Sequence, residues 1–216
     1  LDYSFNQEDL SGKAQNKRAL QEQFGLPTRK DVPLISVVSR LTTQKGFHLV
    51  LEEMENLLQF DVQFILLGTG EHDFEEGFRY FAQKYPDKCA AAISFDIALA
   101  QKLYAAADLF LMPSAFEPCG LSQMIAMRYG TLPVVHEIGG LKDTVDSYNP
   151  ITKQGTGFGF QEFSPFYLMN ALKQGIELYQ SDQETWTVLV KQAMEKDFSW
   201  NQSSDLYIQL YNTIKV

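Results

Sequence analysis

Short apolar runs alternate with helically spaced segments along most of this chain, and that rhythm limits its fold more than any other feature. Leu34-Ile35-Ser36-Val37-Val38 is a β-branched run, and Gly46 to Leu58 then places Leu49, Val50, Met54, Leu57 and Leu58 at helical spacing. The pattern returns as a strand from Val62 to Leu67 and a helix from Phe74 to Tyr85. A weaker strand over Cys89 to Phe95 precedes a short helix from Ile97 to Ala106. Leu109 to Met112, Leu121 to Arg128, Thr131 to His136 and a helix from about Leu141 complete the series. These strands are continuously apolar rather than alternating, as in a sheet covered on both faces. The period predicts an α/β fold, a doubly wound parallel sheet.

The flanks differ. The first 30 residues are polar, and Ser11 to Phe24, with its alternating charges, predicts a surface helix ended at Gly25-Leu26-Pro27. After Pro150 a glycine-rich stretch, Gly155 to Phe160, precedes three helical segments that form a helical tail over about 161–216. No internal repeat or linker interrupts the chain, so one domain over 1–216 is expected. Its 216 residues, 45% hydrophobic, suffice for one substantial core.

No apolar run approaches the roughly 20 residues of a membrane helix, and no basic-then-apolar leader opens the chain. It begins at Leu1 rather than Met, as a fragment would. The net charge of −9 argues against a nucleic-acid partner, whose binding relies on phosphate neutralisation by Lys and Arg. A small anion held by a few local cations and helix N-termini stays open. Cys89 and Cys119 make neither metal-ligand spacing nor a disulfide framework, which fits a reducing, cytoplasmic setting. The three histidines are scattered, so no metal site is expected. His48 and His72 read as structural residues.

Three loops after predicted strands carry unusual residues. In Ser39-Arg40-Leu41-Thr42-Thr43-Gln44-Lys45-Gly46, a strand delivers Arg40, and Lys45 stands just before a helix start. Arginine can fork onto a phosphate and lysine acts as a mobile point charge, so the pair suits a diphosphate. Two solvated loop cations are the plainer alternative. Gly68-Thr69-Gly70-Glu71 lets a backbone approach a ligand closely, or is a plain tight turn. The run Ser114 to Gln123 (SAFEPCGLSQ) gathers Glu117, Cys119, Gly120 and helix-opening N–H groups where ligands bind in open α/β sheets. Taken alone, Glu117 there could equally be a surface charge. Another strand ends in His136 and the Gly139-Gly140 pair, beside that run. With no Ser-His-Asp order, nucleophile elbow or paired carboxylates, the pattern points to binding-driven transfer on a phosphorylated or nucleotide substrate.

The motifs SRLTTQKG at 39–46, GTG at 68–70, PSAFEPCGLSQ at 113–123, RYGTLPVV at 128–135 and GGLKDTV at 139–145 occur in order, and Asp197-Phe198-Ser199-Trp200 follows. Together they resemble the carboxyl-terminal, nucleotide-sugar-binding domain of bacterial glycogen synthase and plant starch synthase, from about Leu10 onward. The resemblance implies a GT-B glycosyltransferase that carries glucose from ADP-glucose to the non-reducing end of an α-1,4-glucan, with retention and without a metal ion or other cofactor. The family's amino-terminal acceptor domain has no counterpart here, which implies an excised or truncated second half.

Carried over by position, the resemblance implies that Arg40 and Lys45 hold the diphosphate and stabilise the departing ADP. Glu117 would bond the glucose hydroxyls, Cys119, Gly120 and Leu121 would line the sugar and phosphate site, and Ser122 would lie near the ribose or phosphates. Phe95 falls where the family sets an aromatic ring against adenine, with core packing as its other reading. His136 replaces a basic residue of many members and would supply a weaker or pH-dependent charge. Related retaining transferases have a second glutamate eight positions after the first, where this chain has Ile125, a departure shared by the glycogen synthase branch. The tail resembles the helix that crosses back to the missing domain. Its apolar face, with Leu206, Leu210, Tyr211 and Ile214, would fold back, fray or mediate self-association. Two alternatives remain: a related transferase domain using UDP-glucose, and a nucleotide-binding module without activity of its own.

Overall fold

Every strand runs parallel to its neighbours, as continuous apolar runs require. A computed structural model describes residues 1–214. Its sheet comprises β1 (Leu34–Val38), β2 (Gln63–Leu67), β3 (Cys89–Ala92), β4 (Leu109–Met112), β5 (Leu132–His136) and β6 (Phe158–Phe160), in the order β3-β2-β1-β4-β5-β6. The winding goes outward from β1 to β3, then crosses back to β4 and proceeds the other way. The direction therefore reverses between β1 and β4. These two strands pair only at Ile35↔Leu109 and Ser36↔Phe110, whereas β1 and β2 pair along five residues.

Side-chain alternation sends each strand into two cores. Ile35, Val37, Phe64, Leu66, Leu109 and Leu111 face α2 (Phe47–Leu57), α3 (His72–Lys84), α7 (Pro165–Ser181) and α8 (Gln183–Glu195). Leu34, Ile65 and Leu67 face α1 (Ser11–Gln23) and α4 (Ile97–Ala106), while Phe110 packs with Tyr104 and with Ala126 of α5 (Ser122–Arg128). Each fully buried Phe or Leu contributes about 1.5–3 kcal/mol. The helices start where the chain supplies acceptors. Asp96 takes the Leu99 N–H at 2.9 Å, and Asp182 takes that of Thr185 at 3.0 Å.

The structure corrects four sequence expectations. The helix near Gly46 begins with a 3₁₀ turn, Thr43–Lys45, and its α-helical part starts at Phe47. The third strand stops at Ala92, which leaves Phe95 on a loop and 88% exposed, so the core-packing reading of that ring fails. The glycine-rich stretch contains β6, a sixth parallel strand paired with β5. His48 and His72 are exposed on α2 and α3, although the His48 ring meets Phe163 edge-on with centroids 5.6 Å apart.

The largest correction concerns α1, expected on the surface. It buries one face, and that face is polar: Lys13, Asn16, Lys17 and Gln21 lie on it beside Leu20. Lys17 Nζ donates to Val32 O at 2.6 Å, to Asp108 Oδ2 at 2.7 Å and to the Tyr179 hydroxyl at 2.9 Å. Lys13 Nζ donates to Ala105 O, Tyr129 O and Thr131 Oγ1 at 2.7–3.1 Å. Asp108, just before β4, also accepts the Leu34 N–H at 2.8 Å and so ties β1 to β4 at their amino-terminal edge. Lysine stems here behave as apolar anchors with satisfied tips.

The tail ends in α9 (Trp200–Ile214), which buries no residue. Leu206, Leu210, Tyr211 and Ile214 are all more than half exposed along it. Among the described residues no helix is long and apolar enough to cross a membrane.

Two outcomes test the α1 anchor. Asp108→Ala strands a buried ammonium and should lower unfolding free energy by about 3 kcal/mol or more in urea titration; a loss below about 1 kcal/mol would contradict the anchor. Burial lowers Lys13 to about 7 from its ordinary 10.5, so between those values the unfolded chain binds more protons than the folded one. Stability from this group therefore rises with pH, and it is fully lost once pH falls below about 7. Urea midpoints taken at intervals from about pH 7 to pH 8.5 should climb more steeply for the parent chain than for Lys13→Met, and parallel profiles would refute the assignment.

Candidate functional site

At the β1–β4 reversal the loops leaving the two strands are not pulled apart by helices on a common side, and the carboxyl edge of the sheet opens between them. The chain then sews the two loops together. Ala115 N donates to Gln44 O at 2.9 Å, and Gln44 Nε2 donates to Phe116 O at 3.2 Å. Gly46, at φ +76°, lies so close beneath Pro113 that a Cβ there would stand 2.0 Å from its carbonyl oxygen. This contact sets Lys45 against the run Ser114 to Gln123. Lys45 Nζ lies 2.5 Å from Glu117 Oε2, with the two side chains only 18% and 12% exposed. Ser114 Oγ donates to the same carboxylate oxygen at 3.1 Å.

A pocket of about 200 Å³ opens beside this pair and is lined by Arg40, Lys45, Ser114 and Ser122 among others. Its floor is apolar, from Val38, Phe47, Leu111 and Met112. Arg40 is exposed at the end of β1. The Tyr104 hydroxyl donates to Ser122 Oγ at 3.1 Å, and burial pushes that phenol above its ordinary range, so it serves as a neutral donor. The structure thus gathers Arg40, Lys45, Glu117 and Ser122 around one small opening with two cations and one carboxylate. Such an opening suits an anionic group joined to a hydroxyl-bearing one.

The remaining sequence-predicted residues take other positions on this edge. Cys119 is exposed and Leu121 is 66% exposed on the loop that follows Glu117. Phe95 stands on the loop after β3, two strands away from β1. Gly68 is buried and Gly70 exposed, and the close approach they permit is to the chain itself. A Cβ on Gly68 would lie 1.9 Å from Ser39 O, and one on Gly70 2.0 Å from Leu41 O. Glu71 strengthens that joint by accepting from the Thr43 N–H and hydroxyl at 2.8 and 3.0 Å. Gly139 and Gly140, at the start of α6 (Gly139–Thr144), likewise nest against the Glu117 and Cys119 carbonyls. The Gly140 N–H is given to Glu117 O at 3.0 Å.

His136 differs from the charge expected at its position. It is buried, stacked on Phe160 and tilted against Phe163, with Nδ1 2.9 Å from Ser114 O and Nε2 3.3 Å from Gln161 O. Both ring nitrogens thus meet carbonyl oxygens, and the imidazole braces the backbone on which Ser114 and Glu117 stand. Gln123 has a similar task that sequence reasoning missed. Wholly buried, its Nε2 donates to Cys119 O, Gly120 O and Thr144 Oγ1, each at 3.1 Å. Its phase on α5 was the available signal, because Gln123, Ala126 and Met127 share one buried stripe. Its Oε1 is the one buried side-chain polar atom without a partner among the described residues. Among the same residues no group of three His, Cys, Asp or Glu is placed to hold a metal ion.

Known proteins place this architecture. The glycogen synthase of Ligilactobacillus salivarius (strain UCC118) is 60% identical over 211 residues, covering 98% of this chain and 44% of the relative. That of Streptococcus gordonii (strain Challis) is 60% identical over 214 residues, with 99% and 45% covered. The chain thus spans less than half the length of these curated relatives. Among solved structures, the catalytic domain of starch synthase IV from Arabidopsis thaliana, bound to ADP and acarbose, superposes with a TM-score of 0.87 at 39% identity. That match covers 97% of this chain and 44% of that one. The fold is accordingly the Rossmann-like half of a GT-B architecture, and the likeness to glycogen and starch synthases read from the motifs holds. The profile described as "Glycosyl transferases group 1" matches residues 19–196, and the chain belongs to that family.

Proposed function

We propose that this chain is the donor-binding half of a glycogen (starch) synthase, which holds ADP-glucose while glucose passes to the non-reducing end of an α-1,4-glucan with retention. The observation that carries this reading is the buried Lys45–Glu117 pair beside Arg40 in the β1–β4 crevice. The glycogen synthases at 60% identity and the starch synthase solved with ADP and acarbose support the choice of donor and acceptor.

In this reading the C1–O bond to the β-phosphate breaks, and its electron pair stays on the departing ADP. Arg40 and Lys45 stabilise that charge, as a metal ion does in other transferases, and they do so without reorganising at the moment of reaction. The acceptor 4-hydroxyl forms the new bond to C1 and yields its proton to the leaving phosphate. Glu117 orients the glucose through its hydroxyls, and binding exchanges the Lys45–Glu117 contact for one contact to phosphate and one to sugar. Cys119, Gly120 and Leu121 line the sugar and phosphates, Ser122 stands near them, and Phe95 offers its exposed ring to adenine. Gly68, Gly70, Gly139 and Gly140 hold the loops that do this, and His136 braces them. No metal or other cofactor takes part. The acceptor comes to a second domain of the same protein in the cytoplasm, and this chain alone binds without transferring.

Calorimetry with this chain should show ADP-glucose binding more tightly than UDP-glucose; equal or reversed affinities would move the reading to a UDP-glucose user. In the same assay Lys45→Ala should weaken ADP-glucose by about tenfold or more, the loss of one charge-assisted contact. An unchanged affinity would remove Lys45 from the donor site. Incubating the chain with labelled ADP-glucose and glycogen should give little or no transfer, and appreciable incorporation would refute the half-site reading.

A further inference from the structure

The opposite, amino-terminal edge of the sheet carries a second charged opening. Lys13 and Lys17 lie one turn apart on α1, both buried, and Asp108 is the carboxylate that faces them. Two ammonium groups therefore share one carboxylate, and the buried cluster holds one positive charge without a counterion. Burial is the main cause that lowers Lys13 to about 7, and the neighbouring Lys17 lowers it further. A crevice of about 430 Å³ opens onto this cluster between α1, residues 28–30, the end of α7 and α8. Its lining includes Lys13, Lys17, Arg18, Arg29 and Lys30, with Asp108 the single carboxylate.

Five of the 18 cations in a chain of net charge −9 thus meet in one crevice. Arg29 is occupied by Asp31 and Asp61, and Arg18 by Glu22, but these acids lie outside the lining. Lys30 is exposed at the rim and has no salt bridge among the described residues. The wall between them is apolar and aromatic, from Tyr179, Trp186 and Val190. The volume lies within the range of about 300–1,000 Å³ typical of small-molecule sites.

We propose that this crevice is a second ligand site, which binds a phosphate monoester on a body the size of one ring. The phosphate supplies the counter-charge that the Lys13–Lys17–Asp108 cluster lacks, and Tyr179 and Trp186 wall the ring. The site lies across the sheet from Arg40, Lys45 and Glu117 and is independent of the donor reading.

The probes are phenyl phosphate and inorganic phosphate, titrated calorimetrically into this chain. Phenyl phosphate should bind saturably and more tightly than inorganic phosphate, whereas equal affinities would discard the walled ring and no saturable binding would discard the site. Lys30→Glu, at an exposed position that does not threaten folding, should weaken phenyl phosphate about fivefold, the cost of a reversed charge at a half-solvated distance. Lys45→Ala should leave it unchanged; loss in Lys45→Ala with retention in Lys30→Glu would assign the binding to the carboxyl edge and overturn the proposal. A further readout uses sulfate, which stays fully ionised near neutrality. Its binding at about pH 7.5 should take up protons, seen as heats that differ between two buffers of unlike ionisation enthalpy, because an anion here raises Lys13 back toward its ordinary value. Equal heats would separate the ligand from the lysine cluster and refute the counter-charge role.

Discussion

The seam between β1 and β4 is the constraint on which the rest of this molecule depends. It is the only place where the winding changes direction, and it is held by two register pairs, Ile35↔Leu109 and Ser36↔Phe110. A parallel seam this short leaves backbone groups at both ends to be settled by side chains. At the amino-terminal edge Asp108 accepts from Leu34 N and Lys17 and gathers α1 onto the sheet. At the carboxyl edge Gln44, Lys45 and Gly46 fasten the β1 loop to the β4 loop. The functional groups meet because the seam has to be closed above and below.

Closure at the carboxyl edge is made largely of backbone packed on backbone. Gly46 under Pro113 and Gly140 under Cys119 each leave no room for a Cβ, which would stand 2.0 and 2.1 Å from a carbonyl oxygen. Loops joined this way lose little side-chain entropy on ordering, and they keep carbonyls and amides at fixed heights. The side chains that remain free to act, Arg40, Lys45, Glu117 and Ser122, then stand on a framework that resists displacement. His136 and Gln123 serve the same framework from beneath, since each bonds carbonyls of the run that carries Glu117.

The sheet was legible in the sequence because its strands are buried on both faces, so their apolar runs stand out from amphipathic helices. The order of strands and the meeting of Lys45 with Glu117 rest on the crossover from β3 to β4, which no local pattern encodes; the motif resemblance supplied what periodicity could not. β6 was hidden by its brevity and by Gly159 at its centre, since Phe158-Gly159-Phe160 reads as turn chemistry. The buried face of α1 was missed for a deeper reason. Lys13 and Lys17 look like solvent charges until carbonyls of β-strand ends, an aspartate and a tyrosine arrive from 15 to 162 residues away to meet them. Phe95 and His136 exchanged roles against hydropathy: the ring stands in solvent while the imidazole is buried, because β3 ends early and β5 runs to its last residue inside the sheet.

Two buried ion pairs thus cap one seam, and their partners show why only one belongs to a site. Lys17 donates to three acceptors, the Val32 carbonyl, Asp108 and the Tyr179 hydroxyl, so its protons are fully spent inside the fold. An incoming ligand could take none of them without breaking the anchor. Lys45 has a single partner among the described residues, Glu117, and two protons of its ammonium remain to be placed. Glu117 in turn holds Lys45 and Ser114 through one oxygen, Oε2, and keeps Oε1 open. A pair with spare donors and a spare acceptor at a crevice can exchange partners at small cost, whereas a saturated pair cannot. The same chemistry, one lysine and one acid between β1 and β4, is structure at the lower edge and reactivity at the upper one.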